Sequence, residues 1–164
     1  MISAKFPIYL LLGSNQDDPL YQLSMAKVLL EGVNLSIINS SSIYESQAWG
    51  IQDQENFFNQ VLQVKTGLSA EDLLDYCIDI ENRMGRKREI KWQSRCIDID
   101  ILYYKESIIN LNHLQVPHTE LQNRKFTLVP LSELAPSFSH PKLNMSNKEL
   151  LDICKDDSWV KKVT

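Results

Sequence analysis

Cysteine is scarce in this chain: Cys77, Cys96 and Cys154 are the only three in 164 residues, and no two form a Cys-x-x-Cys pair. An odd, sparse set excludes a disulfide framework and fits reduced thiols in a cytoplasm-like compartment. Long apolar runs are missing too. The longest, Ile8-Tyr9-Leu10-Leu11-Leu12, is far short of the ~20 residues of a membrane-spanning helix. Met1-Ile2-Ser3-Ala4-Lys5 lacks the charged-then-apolar pattern of a signal peptide, so a cytoplasmic location is expected. The five glycines do not cluster. None begins a G-x-x-x-x-G-K-[ST] spacing, and no kinase-type glycine loop occurs, so any use of ATP requires a site without a P-loop. Repeats and low-complexity tracts are absent.

What is present is ordinary in bulk. A hydrophobic share of 43% and a charged share of 23% describe a globular chain. Its length fits one domain over 1–164 that buries roughly 70% of its unfolded surface. A net charge of −4 disfavours nucleic-acid polymers and anionic membranes as partners. The charges are unevenly placed, however. There are five arginines, and Arg83, Arg86, Arg88 and Arg95 fall within thirteen residues.

Periodicity predicts the elements. Phe6–Leu12 reads as a strand, and Pro19 opens a helix carried by Leu20, Leu23, Ala26, Lys27 and Leu30. Val33–Glu45 reads as one long strand. Phe57–Thr66 reads as a strand with Phe57, Asn59, Val61 and Gln63 on one face. Ser69 caps a helix that runs to Gly85, and Cys96–Tyr104 is a strand. A short strand at Ile108-Ile109, a turn at Val116-Pro117-His118, a short helical segment and a proline-marked run from Phe126 to Pro136 follow. A capping box at Ser146–Glu149 opens a last helix through Ile153. The order is β-α-β, β-α-β. This predicts an α+β fold: a ferredoxin-like βαββαβ core, an antiparallel-rich sheet with helices packed against it, and C-terminal strand and helix additions.

The most informative segment is Arg95-Cys96-Ile97-Asp98-Ile99-Asp100-Ile101-Leu102. Alternation puts Asp98 and Asp100 on one face and Ile97, Ile99 and Ile101 on the other, toward a core. Two neighbouring carboxylates repel each other, and a divalent cation removes that cost. Mg²⁺ suits such a pair, since it takes one or two carboxylates plus substrate phosphates. A solvated strand face with two idle acids is the alternative on the strand alone. Upstream lies the basic stretch Arg83, Arg86, Lys87, Arg88, Lys91 and Arg95. Arginine suits bidentate contact with phosphate oxygens, although a basic run is also an ordinary solvated loop. Acids beside a basic loop suit a metal–polyphosphate complex.

These residues resemble the 6-hydroxymethyl-7,8-dihydropterin pyrophosphokinase family of folate biosynthesis. Its signature matches Lys91-Trp92-Gln93-Ser94-Arg95-Cys96-Ile97-Asp98-Ile99-Asp100-Ile101-Leu102, with Gln93 in place of a small residue. The other landmarks stand in order: Leu12–Asn15, Ser41–Ser46, Gly50, Asp53-Gln54, Phe58-Asn59, Val116–His118, Asn123–Phe126 and Pro130–Pro136. The resemblance implies a transferase, a kinase of the pyrophosphokinase type. It would move pyrophosphate from ATP to the hydroxymethyl group of 6-hydroxymethyl-7,8-dihydropterin, release AMP, and use two Mg²⁺ ions. It implies Asp98 and Asp100 as metal ligands, and Arg86, Arg88 and Arg95 as catalytic arginines on the triphosphate. It also implies Glu81, His118 and Arg124 as further ATP contacts, and Ser46, Trp49, Phe57, Asn59, Trp92 and Phe126 as the pterin pocket. The expected partners are these two small molecules only, with no nucleic acid or membrane, and the expected state is a monomer. Two rivals stand beside this reading: another two-metal enzyme such as a nucleotidyl transferase or cyclase, and a non-catalytic RNA-binding module of similar topology. The RNA module needs exposed aromatic and basic residues on its central strands.

Overall fold

The strand Ile8–Ser14 (β1) is buried along its whole length, because its apolar run faces a packed layer on both sides. The computed structural model that shows this describes residues 7–48, 54–85 and 96–163. β1 lies between Phe57–Thr66 (β4) and Asp98–Tyr104 (β5), antiparallel to each. Leu35–Ser40 (β2) and Tyr44–Ser46 (β3) pair with the two ends of β4. Val160–Lys162 (β8) adds to the far side of β3. The path β5-β1-β4-β3-β8, with β2 also on β4, is the split antiparallel arrangement that the element order predicts. A two-stranded ribbon, Ile109–Asn110 (β6) with Gln115–Val116 (β7), stands apart.

Helices cover both faces. Pro19–Leu30 (α1) starts at Asp18, whose carboxylate accepts from the Tyr21 N–H at 3.3 Å. It buries Leu23, Ala26 and Leu30, whereas Leu20 stays exposed. Ala70–Arg83 (α2) is capped by Ser69 and ends at Gly85, at φ 84°, a left-handed conformation suited to glycine. These helices meet Leu10, Leu12, Leu62, Val64, Ile99 and Ile101 in one core. On the opposite face, Lys125–Leu134 (α3) and Asn147–Ile153 (α4) pack a second core on Tyr9, Leu11, Val61, Leu102 and Tyr103. α4 carries the complete Ser146/Glu149 capping box.

Three expectations change. The long strand Val33–Glu45 is two strands, because Ser41 leaves the ladder to exchange hydrogen bonds with Val61: Ser41 N donates to Val61 O, and Val61 N donates to Ser41 Oγ, each at 2.9 Å. Val116 is not part of a turn but pairs with Ile109, and its bond to Pro117 is cis. In β5 the register with β1 jumps between Leu10↔Ile101 and Tyr9↔Tyr103, so Leu102 is an extra residue. Beyond this bulge the alternation changes phase: Leu102 and Tyr103 join the second core, and Tyr104 the first.

Candidate functional site

Strand register assembles the site. Gly13 is opposite Asn59 on β4 and Asp98 on β5, and Leu11 is opposite Val61 and Asp100. Since Leu11 and Val61 belong to the second core, Asp98, Asp100 and Asn59 share its sheet face, past the point where the core ends. Ser46 and Phe57, partners across β3 and β4, continue the same face one step further.

Gly13 is the hinge of this row. A Cβ there would lie 2.7 Å from Asn59 Oδ1 and 3.9 Å from Phe57 Cδ1. The missing side chain is therefore the space in which the Asn59 amide lies. Asn59 is 2% exposed, and its Nδ2 donates to Ser46 Oγ at 3.3 Å. Next along β1, Ser14 Oγ donates to Cys96 O at 2.5 Å, and Asn15 Nδ2 donates to Gln54 Oε1 at 3.1 Å and Glu55 O at 3.2 Å. These bonds tie the two chain segments flanking the site to the end of the central strand. In the sequence Gly13-Ser14-Asn15 stands out only as part of the family landmark Leu12–Asn15. Its part in shaping the amide row depends on strands that are distant in sequence.

The second wall comes from the chain after β7. His118 N donates to Leu102 O at 3.0 Å, which lays this residue along β5. The imidazole Nδ1 accepts from Glu120 N at 3.2 Å, which leaves Nε2 as the protonated nitrogen of the neutral ring. Burial pushes the His118 pKa below its ordinary value; Asp100 and Glu120 pull it up and Arg124 pushes it down. Asp100 and Arg124 thus both lie within electrostatic reach of His118. Arg124 precedes α3, with its guanidinium 5.8 Å from the centroid of the Phe126 ring.

Glu81 takes a different position. It is 2% exposed near the end of α2, and its Oε2 accepts from Ile99 N at 3.0 Å. It grips the backbone of β5 between the two aspartates. Trp49, Arg86, Arg88, Trp92 and Arg95, and the rest of the basic stretch from 86 to 95, lie outside the described residues. The structure therefore brings Asp98, Asp100, Asn59, Ser46 and Phe57 onto one face. It sets Asp100 and Arg124 within electrostatic reach of His118, and puts Phe126 beside Arg124.

The donor set fits a magnesium ion. Asp98 and Asp100 are half-buried hard oxygen donors, and no group of three or more His, Cys, Asp or Glu side chains forms a metal cage among the described residues. A pair that leaves most coordination positions to water and phosphate is what Mg²⁺ uses with nucleotides. The acids on this face do not fit the RNA-binding alternative, which needs basic and aromatic residues there. Among the described residues no helix is long and apolar enough to cross a membrane.

Comparison with known proteins gives a consistent result. The family model described as 7,8-dihydro-6-hydroxymethylpterin-pyrophosphokinase matches residues 9–136. The 2-amino-4-hydroxy-6-hydroxymethyldihydropteridine pyrophosphokinase of Aquifex aeolicus is 44% identical over 134 residues, covering 82% of this chain and 83% of that protein. The Haemophilus influenzae protein of the same name is 40% identical over 134 residues, covering 81% and 84%. The folic acid synthesis protein FOL1 of Dictyostelium discoideum is 37% identical over 143 residues, which are 87% of this chain but 22% of that protein. Among solved structures, Plasmodium falciparum HPPK-DHPS with pteroate superposes with a TM-score of 0.73 at 18% identity, a likeness of fold. The match covers 90% of this chain and 44% of that longer one.

Proposed function

This chain belongs to the 7,8-dihydro-6-hydroxymethylpterin-pyrophosphokinase family, and from that membership we propose that it transfers pyrophosphate from ATP to 6-hydroxymethyl-7,8-dihydropterin in folate biosynthesis. The observation that carries the reading is the single sheet face on which two aspartates and a buried amide are joined through Gly13.

The pterin hydroxyl oxygen attacks the β-phosphorus in line, the bond from the β-phosphorus to the α-phosphate oxygen breaks, AMP leaves, and the hydroxyl proton is released. Asp98 and Asp100 would hold magnesium. Bound there, the metal neutralises triphosphate charge and polarises the phosphoryl oxygens. Arg86, Arg88 and Arg95, assigned by the family resemblance, take up remaining phosphate charge. His118 and Arg124 bind the nucleotide phosphates from the wall beside Asp100. Glu81 acts on the nucleotide end by fixing the backbone that carries both aspartates. Asn59, with Ser46 behind it, presents a donor and an acceptor to the pterin edge. Phe57 and Phe126, together with Trp49 and Trp92 by resemblance, supply aromatic faces for the flat ring. Catalysis is then positioning plus charge neutralisation, with no covalent enzyme intermediate.

The deciding assay is AMP release from Mg-ATP with and without the reduced hydroxymethylpterin. Pterin-dependent AMP formation is expected. Release of free pyrophosphate instead, or no dependence on pterin, refutes the assignment.

A further inference from the structure

We propose that Asp156 is a positioning residue: it fixes the first turn of α3 and thereby the presentation of Arg124 and Phe126 to the site. This rests on the pyrophosphokinase reading and deepens it, through a residue beyond the family-matched span 9–136.

A helix N-terminus leaves backbone N–H groups without helical partners. In α3 the N-cap residue is Arg124, whose side chain makes no capping hydrogen bond. The cap comes from far along the chain instead: Lys125 N donates to Asp156 Oδ2 at 3.0 Å. The other carboxylate oxygen, Oδ1, accepts from Ser158 N at 3.0 Å and Ser158 Oγ at 2.7 Å. Burial would raise the Asp156 pKa, but the bonds from Ser158 and Lys125 outweigh it and hold the carboxyl below its ordinary value. It therefore stays an anion at neutral pH, the charge favoured at a helix N-terminus.

The segment carrying Asp156 is itself anchored on both sides. Cys154 packs against the second core, and β8 pairs with β3 so that Val160 stands opposite Ser46. One short stretch thus binds the strand that bears Ser46 and the helix start that bears Arg124 and Phe126. The guanidinium of Arg124 and the ring of Phe126 are adjacent, so a displaced first turn moves both.

The test compares Asp156→Ala with Asp156→Asn in the full chain. Asparagine keeps one carbonyl oxygen for Lys125 N–H but turns its NH2 toward Ser158, losing the bond from Ser158 N, whereas alanine offers neither acceptor. In Asp156→Ala the KM values for ATP and pterin should rise about five- to tenfold with kcat within about threefold. Asp156→Asn, which keeps the Lys125 bond but loses the charge and one Ser158 bond, should show less than half of the alanine variant's rise in KM. Hydrogen exchange of the Lys125–Thr127 amides, taken relative to β1 amides, should quicken about tenfold in the alanine variant only. Unchanged KM values alongside a lowered melting temperature assign Asp156 to stability alone and overturn the proposal, as do unchanged exchange rates. If the parent chain makes no pterin-dependent AMP, the functional reading falls, and the exchange comparison still decides whether Asp156 holds the turn.

Discussion

Replacing Gly13 by alanine separates two opposite expectations. In a strand interior, alanine normally gains about 0.5–1 kcal/mol over glycine, because the unfolded chain loses less freedom on folding. Here the added Cβ would lie 2.7 Å from Asn59 Oδ1, where ordinary contact begins near 3.4 Å, so the amide must retreat by about 0.7 Å. The backbone does not yield easily, since Gly13 is held in register between Asn59 and Asp98. The side chain of Asn59 must turn instead, and its bond to Ser46 is lost in a site 2% exposed. Overpacking of this kind costs about 1–3 kcal/mol, and a buried amide without its partner costs a similar amount. Less the usual gain, net destabilisation of about 1–5 kcal/mol lowers the melting temperature by roughly 2–20 °C in a chain of this size. The KM for pterin should rise roughly 10- to 100-fold, as expected for losing a buried hydrogen-bonding partner, while the KM for ATP stays within about threefold. Thermal melts and steady-state kinetics with each substrate varied in turn provide the measurement. A variant as stable as the parent, with an unchanged KM for pterin, would refute the reasoning that Gly13 shapes the Asn59 amide.

Asp98→Asn and Asp100→Asn should each reduce Mg-dependent turnover roughly a thousandfold. Near-normal turnover in either variant removes that residue from metal binding. His118 should titrate below 6.5 in the free protein, since burial opposes its charged form, and its midpoint should rise on addition of a Mg-ATP analogue; an unmoved NMR titration places the phosphates elsewhere. Glu133 accepts from Ser42 N at 2.9 Å, Ser42 Oγ at 2.6 Å and Tyr44 Oη at 3.0 Å. Burial would raise its pKa, but these bonds hold it below 4.5. Its stabilising effect is therefore present above pH 4.5 and is lost as pH falls through the lower folded value. Glu133→Gln should flatten that part of the melting-temperature profile, and an unaltered acid limb contradicts the assignment.

The elements that could be read in the chain are those whose signals are local. β4 runs from Phe57 to Thr66 as its period-two pattern states, and Pro19, Ser69 and Ser146 mark true helix starts. The division of Val33–Glu45 was not legible, because it depends on Ser41 meeting Val61 across the sheet. Nor was β8, a short, largely exposed strand whose pairing is set by β3. The bulge at Leu102 is hidden for the same reason, since apolar residues continue through it. In the site, the shared face of Asp98 and Asp100 follows from alternation alone. The packing of Gly13 against Asn59 and the surroundings of His118 follow only from tertiary structure.

The grip of Glu81 on Ile99 also bears on how copies of this protein meet. β5 is an outer strand, and unsatisfied backbone groups on such a strand invite a neighbouring chain to add to the sheet. Here the Ile99 N–H is occupied by a carboxylate and the Leu102 carbonyl by His118 N–H. The opposite margin, β8, carries Lys161 and Lys162, and β2 is broken by a register shift between Ile37 and Asn39. Each margin thus has its own obstacle to edge-to-edge pairing: a side-chain plug, a pair of like charges and a kink. The open sheet needed to display the aspartates is in this way guarded against growing into an aggregate.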